Sequence, residues 1–314
     1  GTLNHPIDIF FESLANEKKE HAIVAVLSGT GSDGTNGIKV IKERGGLVIA
    51  QDPETAKFDG MPKSVIKTGL SDFVLSPEEI ADEILNFSKA PALIQSHKNG
   101  GLFSDEEETF SEEETISHIY TILKNASGID FTYYKRSTVL RRIERRMVVT
   151  HSSSLAEFAH MLGDNPDEAN VLIKEILIGV TNFFRDPPFF EKLKYNAIYK
   201  ILERANENEP IRVWSAGCST GEEAYSIAIL FQEAMEELQL KRDVKIFATD
   251  VDSRAVEQAG KGVFSENIID DVSAERLARF FVKQNDQYQI SKDIRRMIIF
   301  ATHNMFSDPP FGKL

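Results

Sequence analysis

Strand and helix signals alternate in two separate stretches of this chain, and this rhythm is the strongest constraint on its fold. In residues 22–85, the apolar run AIVAVLSG precedes a glycine-rich turn, the helical stretch IKVIKERG and a second apolar run, GLVIAQD. From about residue 211, IRVWSAG is followed by a glycine loop, an amphipathic helix and the strand VKIFATD. Strand, helix, strand in this order predicts parallel βαβ units, so both stretches are expected to form α/β structure with parallel sheets.

The chain between these stretches has a different character. Residues 86–111 contain Pro, Gly-Gly, Ser and an acidic cluster without a sustained apolar period, which predicts a linker. The region that follows carries two Ser-x-x-Glu capping boxes, at Ser111 and Ser154, each opening an amphipathic helical stretch. The predicted organisation is a partial doubly wound α/β domain over 1–85, a linker over 86–111, an all-α domain over 112–190 and a Rossmann-like α/β domain over 191–314.

Composition excludes several classes of protein. The single cysteine rules out a disulfide framework, and the seven histidines form no cluster at zinc spacing, so no metal is expected. The formal net charge of -13 argues against nucleic-acid binding. No apolar run approaches the roughly 18 residues of a membrane span, and no signal-peptide layout opens the chain, so we expect a cytoplasmic protein that is not embedded in a membrane.

The loop GCSTG after the strand IRVWSAG has two competing interpretations. It fits the G-x-S-x-G pattern of a hydrolase nucleophile, with Ser219, Asp250 and His303 in the chain order of α/β hydrolases. Glu222 and Glu223 follow within one helical turn, however, and two carboxylates would weaken a site that must accumulate negative charge. The hydrolase is therefore disfavoured.

The other interpretation is a cofactor loop. Gly217 and Gly221 let the backbone approach a ligand, and Asp250, at the end of the next strand, is placed to accept hydrogen bonds from ribose hydroxyls. Glu222 and Glu223 occupy the helix start where a dinucleotide would place its pyrophosphate. They suit a cationic ligand instead, so S-adenosylmethionine, with its sulfonium and ammonium groups, is favoured over the cofactor of a dehydrogenase.

Further motifs point the same way. LIGVTNFFRDPPFFEKL, RVWSAGCSTGEEAYSIA, IFATDVD and RRMIIFATHNMFSDPPF resemble the chemotaxis receptor methyltransferase family CheR over about residues 112–314. The resemblance implies a helical domain, a class I methyltransferase domain that uses S-adenosylmethionine and releases S-adenosylhomocysteine, and methylation of glutamate side chains on chemoreceptors. It assigns cofactor contacts to Thr181, Arg185, Glu222, Asp250, Asn304 and Met305.

The resemblance to CheR also contains two departures. Gly179 stands where some members of the family have an asparagine. The family continues beyond DPPFGKL with a strand carrying an aspartate and a Cys-Arg-Asn motif, so weak cofactor binding or inactivity is expected of this length of chain.

The first α/β stretch resembles a second family. VAVLSGTGSDGTNGIKVIKERGGLVIAQD and FDGMPKSVIKTG are similar to the C-terminal half of the methylesterase family CheB, which removes the methyl groups that CheR adds. The resemblance assigns Asp33 to the aspartate of a catalytic triad. The family's serine and histidine lie upstream, so this stretch is not expected to hydrolyse esters. The expected protein is a fragment of a bifunctional methylesterase-methyltransferase fusion in chemosensory phosphorelay signalling, cut at both ends; a non-catalytic receptor-binding scaffold is the alternative.

One basic run, KRSTVLRRIERRM, stands out in this acidic chain. On a helix, Leu140, Ile143 and Met147 form a narrow apolar face opposite a basic one. A solvated face is one interpretation, and a docking surface for an acidic partner is the other. The resemblance to CheR makes the acidic helical bundle of a chemoreceptor the expected partner. The residues expected to bind it are Arg141, Arg142, Arg145 and Arg146.

Overall fold

The chain divides into two compact units, Gly1–Ile178 and Gly179–Leu314, and each is described by itself. The boundary at 190/191 expected from sequence lies within the second unit. Among the described residues, no helix combines the length and apolarity needed to cross a membrane. The computed structural model describes residues 5–98, 111–179, 181–207, 209–285 and 287–312.

The first unit begins with a three-stranded parallel sheet of order β1-β2-β3. The predicted βαβ unit is therefore confirmed. Helix α2 ends where Gly45, at φ 92°, adopts a left-handed conformation that glycine reaches without steric cost. The elements are α1 Pro6–Lys18, β1 Ile23–Val26, α2 Thr35–Arg44, β2 Leu47–Gln51, α3 Gly60–Lys67, β3 Phe73–Leu75 and α4 Pro77–Lys98.

Both faces of this sheet are covered, and β2 is buried along its whole length. Side chains alternate across the sheet, so Val48 and Ala50 pack towards α1, α2 and α3, while Leu47 and Ile49 pack on the opposite face. Parallel sheets are buried on both faces, which explains why GLVIAQD reads as a continuous apolar run.

The helical part of the first unit follows its sequence signals. Ser111 accepts a hydrogen bond from the Glu114 backbone N–H, and the Glu114 carboxylate accepts one from the Ser111 N–H, so this capping box is complete. At the second box, Ser154 accepts from the Glu157 N–H in the same way. The helices are α5 Glu112–Ser127, α6 Arg136–Val149, α7 Leu155–Asp164 and α8 Pro166–Ile176.

The stretch predicted as a linker contains a helix, and its role as a linker stays a prediction. Helix α4 continues to Lys98, so the first half of the predicted linker over 86–111 is helical. The prediction gave the Pro and Ser of this stretch more weight than its helix-forming Leu, Ala, Gln and Lys residues. Residues 99–110, with the acidic cluster, lie outside the described residues.

The second unit contains a parallel sheet of order β4-β5-β9 and a small antiparallel sheet of order β6-β8-β7. In the parallel sheet Ala216 pairs with Thr249, and Asp250 pairs with Thr302, so all three strands end at one edge, called here the carboxyl edge. The elements are α9 Pro187–Leu193, α10 Tyr199–Arg204, β4 Ile211–Ala216, α11 Glu222–Glu237, β5 Val244–Asp250, α12 Ser253–Lys261, β6 Val263–Ser265, α13 Ala274–Phe280, β7 Phe281–Gln284, β8 Gln287–Ile290, α14 Lys292–Arg296 and β9 Ile298–Thr302.

Candidate functional site

The glycine loop between β4 and α11 lies at the carboxyl edge. Its backbone is bound to the neighbouring strand, because the N–H groups of Gly217 and Cys218 both donate to the Thr249 carbonyl, at 2.8 and 2.9 Å. Gly217 and Gly221 have φ values of 76° and 96°, at which the backbone of a residue with a side chain would be strained. The loop therefore places bare backbone beside the end of β5.

Asp250 ends β5 and is the acid that faces this loop. One carboxylate oxygen accepts the Ser219 N–H at 2.8 Å, and the other accepts the Asp252 N–H at 3.0 Å. A carboxylate offers about four lone-pair sites. The half-buried Asp250 therefore keeps acceptor capacity on both oxygens, which fits a diol such as the two hydroxyls of a ribose.

Two further carboxylates begin α11 at the end of the loop. Glu222 is buried and accepts a hydrogen bond from the Thr220 hydroxyl at 2.6 Å, and exposed Glu223 accepts one from the Ser215 hydroxyl at 2.8 Å. The positive end of the helix dipole stabilises both charges. The site is thus electrostatically suited to a cation, and it fits the sulfonium and ammonium of S-adenosylmethionine better than a phosphate.

The segment VTNFFRD is tied to the same helix. The Phe184 N–H donates to the fully buried Ser226 hydroxyl at 3.0 Å, and that hydroxyl donates to the Glu222 carbonyl at 2.7 Å. Sequence reasoning missed Ser226, although its spacing of four from Glu222 places both on one helix face. Thr181 is half-buried and Arg185 is exposed on this segment, and their cofactor contacts stay predictions.

Gly179 approaches the loop from the same segment. A Cβ atom built on Gly179 would lie 2.5 Å from the Ser219 Oγ and 3.1 Å from its Cβ. Only a glycine fits while Ser219 keeps this position. An asparagine, as in some members of the resembling family, would require the serine to move.

Asn304 and Met305 follow β9 at the same edge. The side-chain oxygen of Asn304 accepts a hydrogen bond from the Phe306 backbone N–H at 3.0 Å, and the backbone N–H of Asn304 donates to the Asp308 carboxylate at 2.8 Å. These two hydrogen bonds fix a turn. Met305 is 56% exposed. Both residues are thus at the expected edge, and their contacts with a cofactor stay predictions.

The hydrogen bonds of Ser219, Asp250 and His303 show whether these residues form the catalytic triad of a hydrolase. The Asp250 carboxylate accepts backbone N–H groups, as described above, and the His303 Nε2 lies 3.1 Å from the Pro309 carbonyl. The His303 ring packs against Trp214, with centroids 5.6 Å apart. Among the described residues, the geometry therefore does not assemble a Ser-His-Asp relay around Ser219.

The only cysteine of the chain lies inside the loop. Cys218 is almost completely buried, and burial, together with the nearby Asp250 charge, raises the pKa of its thiol to about 12. The thiol is therefore protonated at neutral pH, so it is neither a nucleophile nor a metal ligand in this state.

Asp33, the aspartate expected in an esterase triad, has a structural role in the first unit. Its carboxylate accepts the N–H groups of Ile7 and Asp8, at 3.1 and 3.0 Å, and so caps the start of α1. His5 and Asp8 lie close to Asp33. One potential metal-ligand atom from each of these three residues lies within 4.8 Å of the other two. A triad role for Asp33 stays a prediction.

The expectation of an exposed basic face is wrong for three of its four arginines. Arg142, Arg145 and Arg146 are 3%, 5% and 6% exposed, and only Arg141 is half-buried. The helical pattern correctly predicted that they share a helix, but it contains no information on which distant carboxylates and carbonyls cover them. A receptor contact by Arg141 stays a prediction.

Comparisons with known families divide the chain in the same order as its motifs. Residues 1–84 match the family model of the CheB methylesterase. Residues 114–177 match the all-alpha domain of the CheR methyltransferase, and residues 179–314 match its SAM-binding domain.

Individual relatives match different parts of the chain. The chain is 41% identical, over 99% of its length, to an uncharacterized 104.1 kDa protein of Rhodobacter capsulatus, of which it spans 34%. It is 28% identical over 64% of its length to a chemotaxis protein methyltransferase of Borreliella burgdorferi, spanning 73% of that protein. A crystal structure of the Thermotoga maritima CheB methylesterase catalytic domain shares 42% identity over 24% of this chain and 42% of that chain, at a TM-score of 0.23. On the family-model matches, this chain carries a CheB methylesterase segment followed by the all-alpha and SAM-binding domains of a CheR methyltransferase.

Proposed function

We propose that the second unit binds S-adenosylmethionine at the carboxyl edge of its parallel sheet and methylates glutamate side chains of chemoreceptors. The observation that carries the proposal is the arrangement of Asp250 and Glu222 around the glycine loop. Asp250 retains acceptors for a ribose, and Glu222 adds negative charge where a cation would lie.

The residues of the site act by binding and alignment. Arg185 can form a bidentate guanidinium contact with the carboxylate in the methionine portion of S-adenosylmethionine. The remaining proposed contacts are made by Thr181, Asn304 and Met305. The bound cofactor supplies an electrophilic methyl group. Transfer of that methyl group to a substrate carboxylate, with the sulfur–methyl bond breaking and S-adenosylhomocysteine leaving, would require alignment and desolvation from the residues of this site and no strong base.

The esterase-type segment contributes a different part of the proposed function. Asp33 stands where the resembling family has its triad aspartate, and in that family it would orient a histidine for hydrolysis of methylated glutamates. Its two oxygens accept backbone N–H groups here. A role in demethylation would also require the serine and the histidine of the resembling family's triad.

Calorimetric titration with S-adenosylhomocysteine tests the proposal. Asp250→Ala removes the ribose acceptors, and we expect it to weaken binding by about 100-fold, since each hydrogen bond to a charged group contributes about 1.5 kcal/mol or more. Asp243→Ala is the matched control, because Asp243 is an exposed acid just before β5, at the opposite end of the same strand. Its affinity should equal that of the wild type.

The outcomes separate enzyme from scaffold. Absence of binding by the wild-type sequence when it is titrated within the full-length protein would refute the cofactor assignment. Binding without transfer of label from radioactive S-adenosylmethionine to chemoreceptor-containing membranes would favour a non-catalytic receptor-binding scaffold.

A further inference from the structure

Helix α6 contacts the part of the first unit that precedes it, residues 5–98, called here the esterase-type block. The Arg142 guanidinium donates to the carbonyls of Lys42 and Glu43, at 2.6 and 2.8 Å. Arg145 donates to the Gly46 carbonyl at 3.3 Å. The last carbonyls of a helix lack partners within the helix and carry the negative end of its dipole. Arg142 of α6 therefore caps the carboxyl end of α2, and Arg145 binds a carbonyl two residues beyond that end.

Buried ion pairs join the same two parts. Lys42 of the esterase-type block contacts Asp72 of that block at 2.7 Å and Glu175 of α8 at 3.3 Å. Arg145 pairs with the same two carboxylates, Asp72 and Glu175. Each part thus supplies a cation and a carboxylate that bind the other part. All four side chains are at most 6% exposed.

The charges persist despite burial. Burial alone would raise the pKa of Asp72, but the neighbouring Arg145 and Lys42 cations outweigh it and lower the pKa to about 2. Asp72 also accepts the Val48 N–H at 2.9 Å, so the interface charge is bound to the central strand of the sheet.

An apolar contact adjoins the charged one. Val149, the last residue of α6, is buried against Leu47 and Ile49 of β2, together with Ile80 and Phe87 of α4. A parallel sheet requires cover on both faces, and α6 supplies part of the cover on this face. Removing α6 would expose the apolar side chains of a strand that is now wholly buried.

We infer that the buried face of α6 is a docking surface for the esterase-type block, and that this interface, rather than the connecting chain, holds the two parts together as one body. The occupant is defined by its chemistry: a helix end whose Lys42 and Glu43 carbonyls accept hydrogen bonds from Arg142, the nearby Asp72 carboxylate and an apolar sheet face. Arg142 and Arg145 are consequently not available to an acidic receptor, and Arg146 is bound by Glu168 and Glu175 of α8. This inference is independent of cofactor binding and of methyl transfer.

Cleaving the connection tests the interface in the full chain. A specific protease site is introduced within residues 99–110, the folded protein is cut, and the products are analysed by size-exclusion chromatography at micromolar concentration. We expect residues before and after the cut to elute together. Separation of the cut wild-type pieces would overturn the inference, because only the covalent connection would then have held them.

Substitutions identify the residues that hold the pieces. Arg142→Met retains the long apolar stem but removes two charge-assisted hydrogen bonds, and we expect the dissociation constant of the cut pieces to rise by a factor of about 10 to 100. Arg136→Met is the matched control on the same helix, because Arg136 is exposed and pairs with Glu113 of α5. Equal dissociation constants for Arg142→Met and the wild type would exclude the α2 cap as the holding contact.

Hydrogen exchange separates loss of docking from loss of folding. For Arg142→Met we expect amides of β2 to lose protection after cleavage, while α5 and α8 keep theirs. Loss of protection in α5 and α8 as well, before any cleavage, would mean that Arg142 maintains the helical fold rather than the docking, and would count against the inference.

Discussion

The buried carboxylate of Glu175 allows a quantitative test of the ion cluster in the first unit. Its Oε1 lies 2.5 Å from Arg145 Nη1, 3.3 Å from Lys42 Nζ and 3.4 Å from Arg146 Nη1, and its side chain is 6% exposed. Glu175→Gln keeps the size and one acceptor oxygen but removes the charge. Three buried cations then lose a shared anionic partner.

The expected loss of stability follows from this burial. Breaking a buried ion pair by removing one partner costs about 3 to 5 kcal/mol. Because Gln retains a hydrogen-bond acceptor and Asp72 still pairs with Lys42 and Arg145, we expect a value near the lower end, about 3 kcal/mol. Glu113→Gln is the matched control, because Glu113 pairs with Arg136 at 2.6 Å but is 70% exposed, and water screens an exposed pair so that it contributes little to stability.

Urea unfolding, followed by circular dichroism, measures both free energies. Hydrogen exchange of the β2 amides assigns the affected transition to the first unit. A loss below about 1 kcal/mol for Glu175→Gln, or equal losses for the two variants, would show that the buried charges contribute no more than a surface pair, against the reasoning from burial.

Two other predictions concern acid stability and the glycine loop. The pKa of Asp72 is lowered from 3.8 to about 2, so its contribution to stability is present above about pH 4 and is lost as the pH falls towards 2. The urea midpoint of the wild type should therefore decline between pH 5 and pH 2, and that of Asp72→Asn should decline less. Parallel pH profiles for the two proteins would contradict this. Gly179→Ala should weaken binding of S-adenosylhomocysteine, because the Cβ atom of the new alanine would clash with the Ser219 side chain. Adding Ser219→Gly to this variant should restore binding, because it removes that side chain. Calorimetric titration measures both affinities, and a double variant that binds no better than Gly179→Ala would exclude this contact as the cause.

Local signals account for the elements that the sequence predicted correctly. The capping box at Ser111, the apolar run that forms β2 and the loop before α11 depend on residues close together in the chain. Helix periodicity likewise showed that the arginines of α6 share a helix. Asp250 could be placed beside the glycine loop, because parallel strands that follow each other end at the same sheet edge.

The environment of those side chains depended on distant parts of the chain. Arg142 donates hydrogen bonds to carbonyls about a hundred positions earlier in the chain, and the Glu175 carboxylate accepts one from Lys42, 133 positions away. No local period encodes such partners, so sequence alone predicted an accessible basic face, either solvated or docked to an acidic partner, where the tertiary structure buries three of the four arginines. Sequence by itself thus determined most of the secondary structure, the order of the α/β and helical segments and the position of Asp250 and Glu222 beside the glycine loop. Tertiary structure decided which charges are removed from water, because burial and charge pairing depend on segments that meet only when the chain folds.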